Sequence, residues 1–282
     1  MPRPQRFPNR PQPPVMVKPP PRKVSWLRWT GRVIILGAIV VMCSLIFDTC
    51  RVIRLRTVNP EVSSLMEQRA GEAEDRGQIP KQVQTWVPLE RISPNLQRAV
   101  LAGEDANFAT HNGFDYESIQ KAWAEAQRNA AKEAKEEGDK DDSSLLPDFN
   151  LPSLAFKRGA STITQQLAKN LYLSTSRSFI RKGREAIFTA LLERFLTKRR
   201  ILEIYLNIIE WGDGIYGAEA ASRYYFNKPA ASLSREEAAY LSAMIPSPLN
   251  IFNPKKNPKR VIRRQRVILP GLNYVKMPPG TG

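Results

Sequence analysis

From Trp26 to Phe47 the chain carries 22 residues that are mostly apolar or small, without a break from Val33 to Phe47. At about 1.5 Å per helical residue such a run matches a bilayer's hydrocarbon thickness of about 30 Å. A chain with this segment cannot be folded as one water-soluble globule. Arg28 and Arg32 interrupt only the N-terminal end, where long side chains snorkel to water and Trp26 and Trp29 suit the interface. No Ala-x-Ala-like cleavage signal follows, and the run continues into Asp48-Thr49-Cys50-Arg51. Residues 25–48 therefore read as a transmembrane signal anchor rather than a cleaved peptide. Lys18, Arg22, Lys23, Arg28 and Arg32 precede it, against Arg51, Arg54 and Arg56 after it. That excess predicts a cytoplasmic N-terminus with the main body outside. Residues 1–24, rich in Pro, Arg and Lys, cannot build a core and read as a disordered basic tail.

After the anchor about 230 residues remain, enough for one substantial domain. The expected organisation is a juxtamembrane linker over 49–90, a catalytic-sized domain over 91–269 and a tail over 270–282, because Pro270-Gly271 interrupts the last helical pattern. Helical signals dominate. Ser93-Pro94 opens a helix through Leu96, Val100 and Leu101, with Pro at its first position. Apolar residues at three-four spacing run from Ile180 past Tyr205: Ile187, Leu191, Leu192, Phe195, Ile201, Leu202, Leu206 and Ile209. Ser234-x-x-Glu237 is a capping box, opening a helix that ends before Pro246. Alternating strand runs are scarce, so the fold class is mainly α. Ala124 to Ser144 is an Ala/Glu/Lys/Asp segment of low complexity, read as a short exposed helix and a loop. Cys43 and Cys50, in or beside the span, offer neither a disulfide framework nor a metal cluster.

The densest chemistry lies between Arg158 and Asn170. Thr162 with Gln165 forms a second capping box, and Gln165, Gln166, Lys169 and Asn170 crowd the first turns behind it. A helix N-terminus carries free N–H groups and partial positive charge, so amides and a lysine there suit an anionic, oxygen-rich ligand. A well-capped surface helix explains the stretch equally well. Upstream, Glu104-Asp105 places two carboxylates at a helix C-terminus, against the macrodipole, and such violations point to function. An exposed acidic turn is the plainer alternative. His111 is the only histidine, too isolated for a zinc site, and reads as a structural hydrogen-bonder. Downstream, Arg181 and Lys182 pair with Glu185 at helical spacing. With Lys169 and Arg177 they form a cationic wall around one carboxylate, suited to a pyrophosphate.

Two motif matches are decoys. Gly212-x-Gly214-x-x-Gly217 fits a dinucleotide fingerprint but follows a helix where a strand is required, and reads as a turn between helices. Ser118-x-x-Lys121 lacks the Lys-Thr-Gly partner of penicillin-binding enzymes. The net charge of +16, from 43 basic and 27 acidic residues, peaks at Lys255, Lys256, Lys259, Arg260, Arg263, Arg264 and Arg266. No aromatic interleaving or nucleic-acid motif accompanies these charges, so nucleic acid is not the expected partner. Anionic lipid headgroups, or water, account for them better.

In order, the blocks Glu104-Asp105-x-x-Phe108-x-x-His111-x-Gly113-Phe114-Asp115, Gly159 to Asn170, Arg181-Lys182-x-x-Glu185, Arg200 to Asn207 with Gly212 to Ala221, and Glu237 through Pro248 resemble the peptidoglycan glycosyltransferases, specifically the monofunctional biosynthetic transglycosylases of bacteria. The resemblance spans roughly Arg91 to Pro254. It implies a lysozyme-like fold with head and jaw lobes, anchored in the bacterial inner membrane. It also implies polymerisation of lipid II into glycan strands with inversion, giving β-1,4 linkages and releasing undecaprenyl pyrophosphate. Glu104 would then be the general base on the acceptor 4-hydroxyl. Lys169 and Arg177 would stabilise pyrophosphate, with Arg181 and Lys182 nearby, and Asp105, Ser161, Gln165 and Gln166 would bind the substrate. Glu185 matches the family's second glutamate, which either orients groups or holds a divalent cation (Mg or Mn). Lipid II, the growing strand, the bilayer and cell-wall synthesis or division proteins are the implied partners. Against shorter relatives, 124–153 looks like an inserted flexible segment.

A lytic hydrolase is the nearest enzymatic rival, but hydrolysis of a glycosidic bond has no pyrophosphate for Lys169, Arg177, Arg181 and Lys182 to stabilise. A basic membrane scaffold would explain the charge and the anchor but not the Glu104 and Gln165-Gln166-Lys169 blocks.

Overall fold

The structure, a computed structural model, describes residues 26–117, 120, 124, 127, 128, 161–173 and 178–280. The 1–24 tail, Arg158 to Ala160, Arg177, the Ser118-x-x-Lys121 match and most of 124–153 lie outside the described residues. The chain divides into two units, the first ending at Ile46 and the second running from Phe47.

Helix α1 (Trp26–Arg54) begins in the first unit and is long and apolar enough to cross a membrane. Val33, Ile34, Ile35 and Leu36 stand exposed along it, as expected of side chains whose solvent is lipid.

The second unit is built from α2 (Ser64–Glu74), β1 (Val83–Gln84), α3 (Pro94–Glu104), α4 (Ile163–Tyr172), α5 (Phe179–Phe195), α6 (Lys198–Ile208), β2 (Glu210–Gly212), β3 (Ile215–Tyr216), α7 (Ala218–Phe226), α8 (Arg235–Met244) and α9 (Pro258–Gly271). It is mainly α, as its periodicity predicts. Helices α3, α8 and α9 pack on one another, while α4 packs on α5 and α6. The core runs through both groups, with Trp211, Tyr205, Tyr216, Phe108 and Phe188 its largest fully buried side chains.

Local chemistry explains the boundaries. Pro94 sits in the first turn of α3 and the Ser93 hydroxyl accepts the Asn95 N–H. Capping boxes open α4 at Thr162 and α8 at Ser234, each with both reciprocal bonds made. The apolar pattern from Ile180 past Tyr205 is two helices rather than one. Leu196 is extended, and the Thr197 hydroxyl accepts the Arg200 N–H, restarting the chain as α6.

The stretch Glu210 to Tyr216 also departs from expectation. It forms a hairpin, β2 against β3, with β1 added in parallel on the far side of β3. Gly217 closes it with φ +82°, and a Cβ there would lie 2.6 Å from the Asn207 carbonyl oxygen, so only glycine fits. The Asn207 side chain donates to the Val87 carbonyl and accepts the Val87 N–H. Trp211 Nε1 donates to the Leu241 carbonyl at 3.0 Å. The Trp211 bond fixes the hairpin to α8, and the Asn207 bonds fix the segment after β1 to α6. Residues 49–90, expected as a linker, supply α2, β1 and the buried Met66, Val87 and Leu89; Leu272, in the expected tail, is buried too.

Candidate active site

A cleft of about 1020 Å³ lies against the ends of α3, α4 and α9, at the upper end of the range for small-molecule sites of about 300–1000 Å³. Glu104, Ser161, Gln166, Lys169 and Arg181 line it, so five of the sequence-predicted residues share one surface. The segment from Ile245 to Phe252 supplies a largely apolar wall.

Glu104 is the last residue of α3, and its side chain is only 7% exposed. One carboxylate oxygen accepts from Arg264 Nη2 at 2.9 Å, and the other from Gln166 Nε2 at 3.0 Å. Gln166 is oriented in turn by the Tyr205 hydroxyl, which donates to its Oε1 at 2.8 Å. Burial pushes the Glu104 carboxyl above the usual range, while Arg264, Gln166 and Lys169 act in the opposite sense. A buried carboxyl raised by desolvation and held in place by fixed donors has the character of a proton acceptor.

Facing it, Lys169 has its pKa lowered by burial, with Glu185 the strongest influence opposing that shift. Glu185 is buried and receives Arg181 Nη1 at 2.9 Å and the Lys182 ammonium. Arg181 Nε is buried with no hydrogen-bond partner, so the cationic wall retains unmet donor capacity. Both Glu185 oxygens are thus already taken by cations, and no group of three or more His, Cys, Asp or Glu able to hold a metal occurs among the described residues. Glu185 so engaged brings Arg181 and Lys182 together on one carboxylate.

Asp105 and Gln165 do not line the cleft. Asp105 turns its carboxylate to the start of α4, accepting the Ile163 N–H at 2.9 Å and the His111 ring Nε2 at 2.9 Å. The charge that offends the C-terminus of α3 therefore serves the N-terminus of α4. His111 Nδ1 accepts the Gly113 N–H, which leaves the proton on Nε2 and confirms a structural hydrogen-bonder. Gln165 Oε1 accepts the Thr162 N–H and completes the capping box.

Sequence reasoning missed Arg264, Arg69 and Glu210, which also line the cleft. Arg264 was hidden in the basic run over 255–266, but Val261 and Ile268 are buried on the same helix, and a residue between them at three-four spacing shares their face. Glu210 breaks the apolar sequence Ile208-Ile209-x-Trp211 while itself buried, a signal that was there to be read.

The profile of the transglycosylase family matches residues 72–138 and 149–273. The biosynthetic peptidoglycan transglycosylase of Nitrosomonas eutropha is 38% identical over 250 residues, 89% of this chain and 92% of that one. The like-named protein of Paraburkholderia xenovorans is 39% identical over 92% of this chain and 96% of its own. That of Thiobacillus denitrificans is 43% identical over 78% and 85%. The sequence match runs along most of the length of each of these relatives: the chain belongs to the transglycosylase family, as a peptidoglycan glycosyltransferase.

Proposed function

We propose that this glycosyltransferase polymerises lipid II into glycan strands, with Glu104 as general base on the acceptor 4-hydroxyl. The observation that carries the reading is a buried, raised-pKa carboxylate in one wall of a cleft whose other wall presents Lys169 and Arg181. The acceptor hydroxyl gives its proton to Glu104 as its oxygen attacks the donor's anomeric carbon. The bond from that carbon to the pyrophosphate oxygen breaks on the opposite face, giving inversion and a β-1,4 linkage. Positioned base help of this kind contributes about 10²–10⁴ in rate.

The departing undecaprenyl pyrophosphate carries its charge into the field of Lys169 and Arg181. Fixed cations stabilise that developing charge without reorganising, so no general acid is needed. Glu185 holds Arg181 and Lys182 in place. Gln166 fixes the base, and Ser161, which lines the cleft, offers a hydroxyl to position the donor.

The anchor fits the substrate. At about 0.8 kcal/mol per buried CH₂ a polyprenyl chain does not leave the bilayer, so α1 keeps the enzyme in the same phase. The excess of basic residues before α1 supports an N-terminus in the cytoplasm and a catalytic unit on the outer face of the inner membrane. Glu104→Gln is expected to abolish polymerisation of lipid II by the purified full chain while leaving its helical circular dichroism intact. Normal polymerisation by that variant would remove Glu104 from the role of base.

A further inference from the structure

The cleft has a charged feature that neither proton transfer nor pyrophosphate departure uses. Arg69 on α2 and Glu210 on β2 both line it and meet as a two-bond pair, Nε to Oε1 at 3.0 Å and Nη2 to Oε2 at 3.2 Å. Arg69 Nη1 also reaches Glu72 at 2.8 Å. Glu210 is 7% exposed, and burial raises its carboxyl pKa despite the guanidinium beside it. Directly across the hairpin is Tyr216, whose hydroxyl is buried with no hydrogen-bond partner.

A buried ion pair seldom stabilises more than the apolar pair that could replace it, so stability alone is a weak reason for placing one in a cleft wall. Its chemistry suggests a ligand. Two carboxylates around one guanidinium leave this corner with net negative charge, which disfavours phosphate and suits a neutral polyhydroxy group. A guanidinium has five N–H donors, of which Arg69 uses three, and each Glu210 oxygen keeps a lone pair beyond the one given to Arg69. Spare donors next to spare acceptors, held rigid by the pairing itself, match the adjacent hydroxyl and acetamido groups of a sugar.

We propose that the Arg69–Glu210 pair is a carbohydrate subsite that binds an N-acetylhexosamine ring in the cleft. It rests on the lipid II reading above for its place in catalysis, but sugar binding can be measured without turnover. The ring belongs either to the lipid-linked disaccharide or to the growing strand.

The test uses the full chain in detergent micelles and a soluble β-1,4-linked N-acetylglucosamine tetrasaccharide as probe. Glu210→Gln keeps the shape and removes the charge, and is expected to weaken tetrasaccharide binding about tenfold at unchanged melting temperature, as loss of charge-assisted bonds does. Arg69→Met is expected to act in the same direction; should it fail to fold, Glu210→Gln alone carries the test. In polymerisation assays KM rises while kcat holds, the mark of lost ground-state binding. A rise only in reactions primed with preformed strands assigns the ring to the strand; a rise with lipid II alone assigns it to the lipid-linked sugar. Tetrasaccharide bound equally by wild type and Glu210→Gln, or not bound by wild type, overturns the proposal. So does a lower melting temperature with KM unchanged, which would make the pair a structural tie between α2 and β2. If Glu104→Gln polymerises normally while Glu210→Gln loses the sugar, the general-base reading falls and the subsite stands.

Discussion

Replacing Arg264 with Met removes the cation 2.9 Å from a Glu104 oxygen and leaves the other donor, Gln166, in place. Arg264 is about a quarter exposed and Glu104 nearly enclosed, at 27% and 7%, so the pair is only weakly screened by water. An adjacent cation lowers a carboxyl pKa by about 1–3 units, and burial here already drives the pKa of Glu104 upward. Without Arg264 nothing but Gln166 and the more distant Lys169 opposes that burial, so the pKa rises further. A general base works deprotonated, so the acid limb of kcat/KM against pH moves to higher pH. The assay is lipid II polymerisation by wild type and Arg264→Met across about pH 4 to 9. Arg264 Nη2 also donates to the Gly103 carbonyl, so a lower melting temperature accompanies the change without moving the limb. An acid limb that stays put or shifts to lower pH would refute the claim that Arg264 sets the basicity of Glu104.

Lys169→Ala is expected to weaken binding of a lipid-pyrophosphate analogue by at least about tenfold, since charge-assisted bonds carry about 1.5–3 kcal/mol; unchanged affinity, measured by displacement of a fluorescent analogue, would remove Lys169 from the anion site. Asp105→Ala is expected to cost about 1–3 kcal/mol of stability in denaturant unfolding, because it leaves the Ile163 N–H and the His111 ring without their acceptor. A fall in kcat/KM with no loss of stability would show instead that Asp105 touches substrate.

The sequence was most legible where one residue's chemistry acts on its near neighbours. The Thr162–Gln165 and Ser234–Glu237 capping boxes and Pro94 at a helix start each involve residues three or fewer apart, and the structure shows each as expected. The break at Leu196–Thr197 was less legible, because the apolar spacing continues across it and only one hydroxyl cap marks the restart. The hairpin over 210–216 was illegible, because two- and three-residue strands are too short to show alternation and depend on Asn207 and Trp211 for anchorage. In the site, Glu104, Gln166, Lys169 and Arg181 stood out as motif residues and share the cleft. Asp105 and Gln165 stood out equally, yet their polar atoms serve the start of α4. Type and spacing show that a side chain is unusual without showing which way it points. Arg264 and Arg69 lie on helices remote in sequence from Glu104 and Glu210, so only tertiary packing reveals what they neutralise.

The three residues of the proposed base are far apart along the chain: Gln166 lies 62 positions beyond Glu104, and Arg264 lies 160 beyond it. During vectorial synthesis the carboxylate emerges first, its amide partner later, and its cation only with α9. Until α9 docks, α3 and α8 lack the helix that covers them, and Glu104 has no fixed positive partner. Long-range closures of this kind form late and carry the entropy of the whole intervening loop. A nascent chain that stops short of Pro258 therefore holds nearly every cleft residue and still has no tuned base. If Glu104 is the base, catalytic competence arrives only with α9, and the cleft stays silent until that helix has docked.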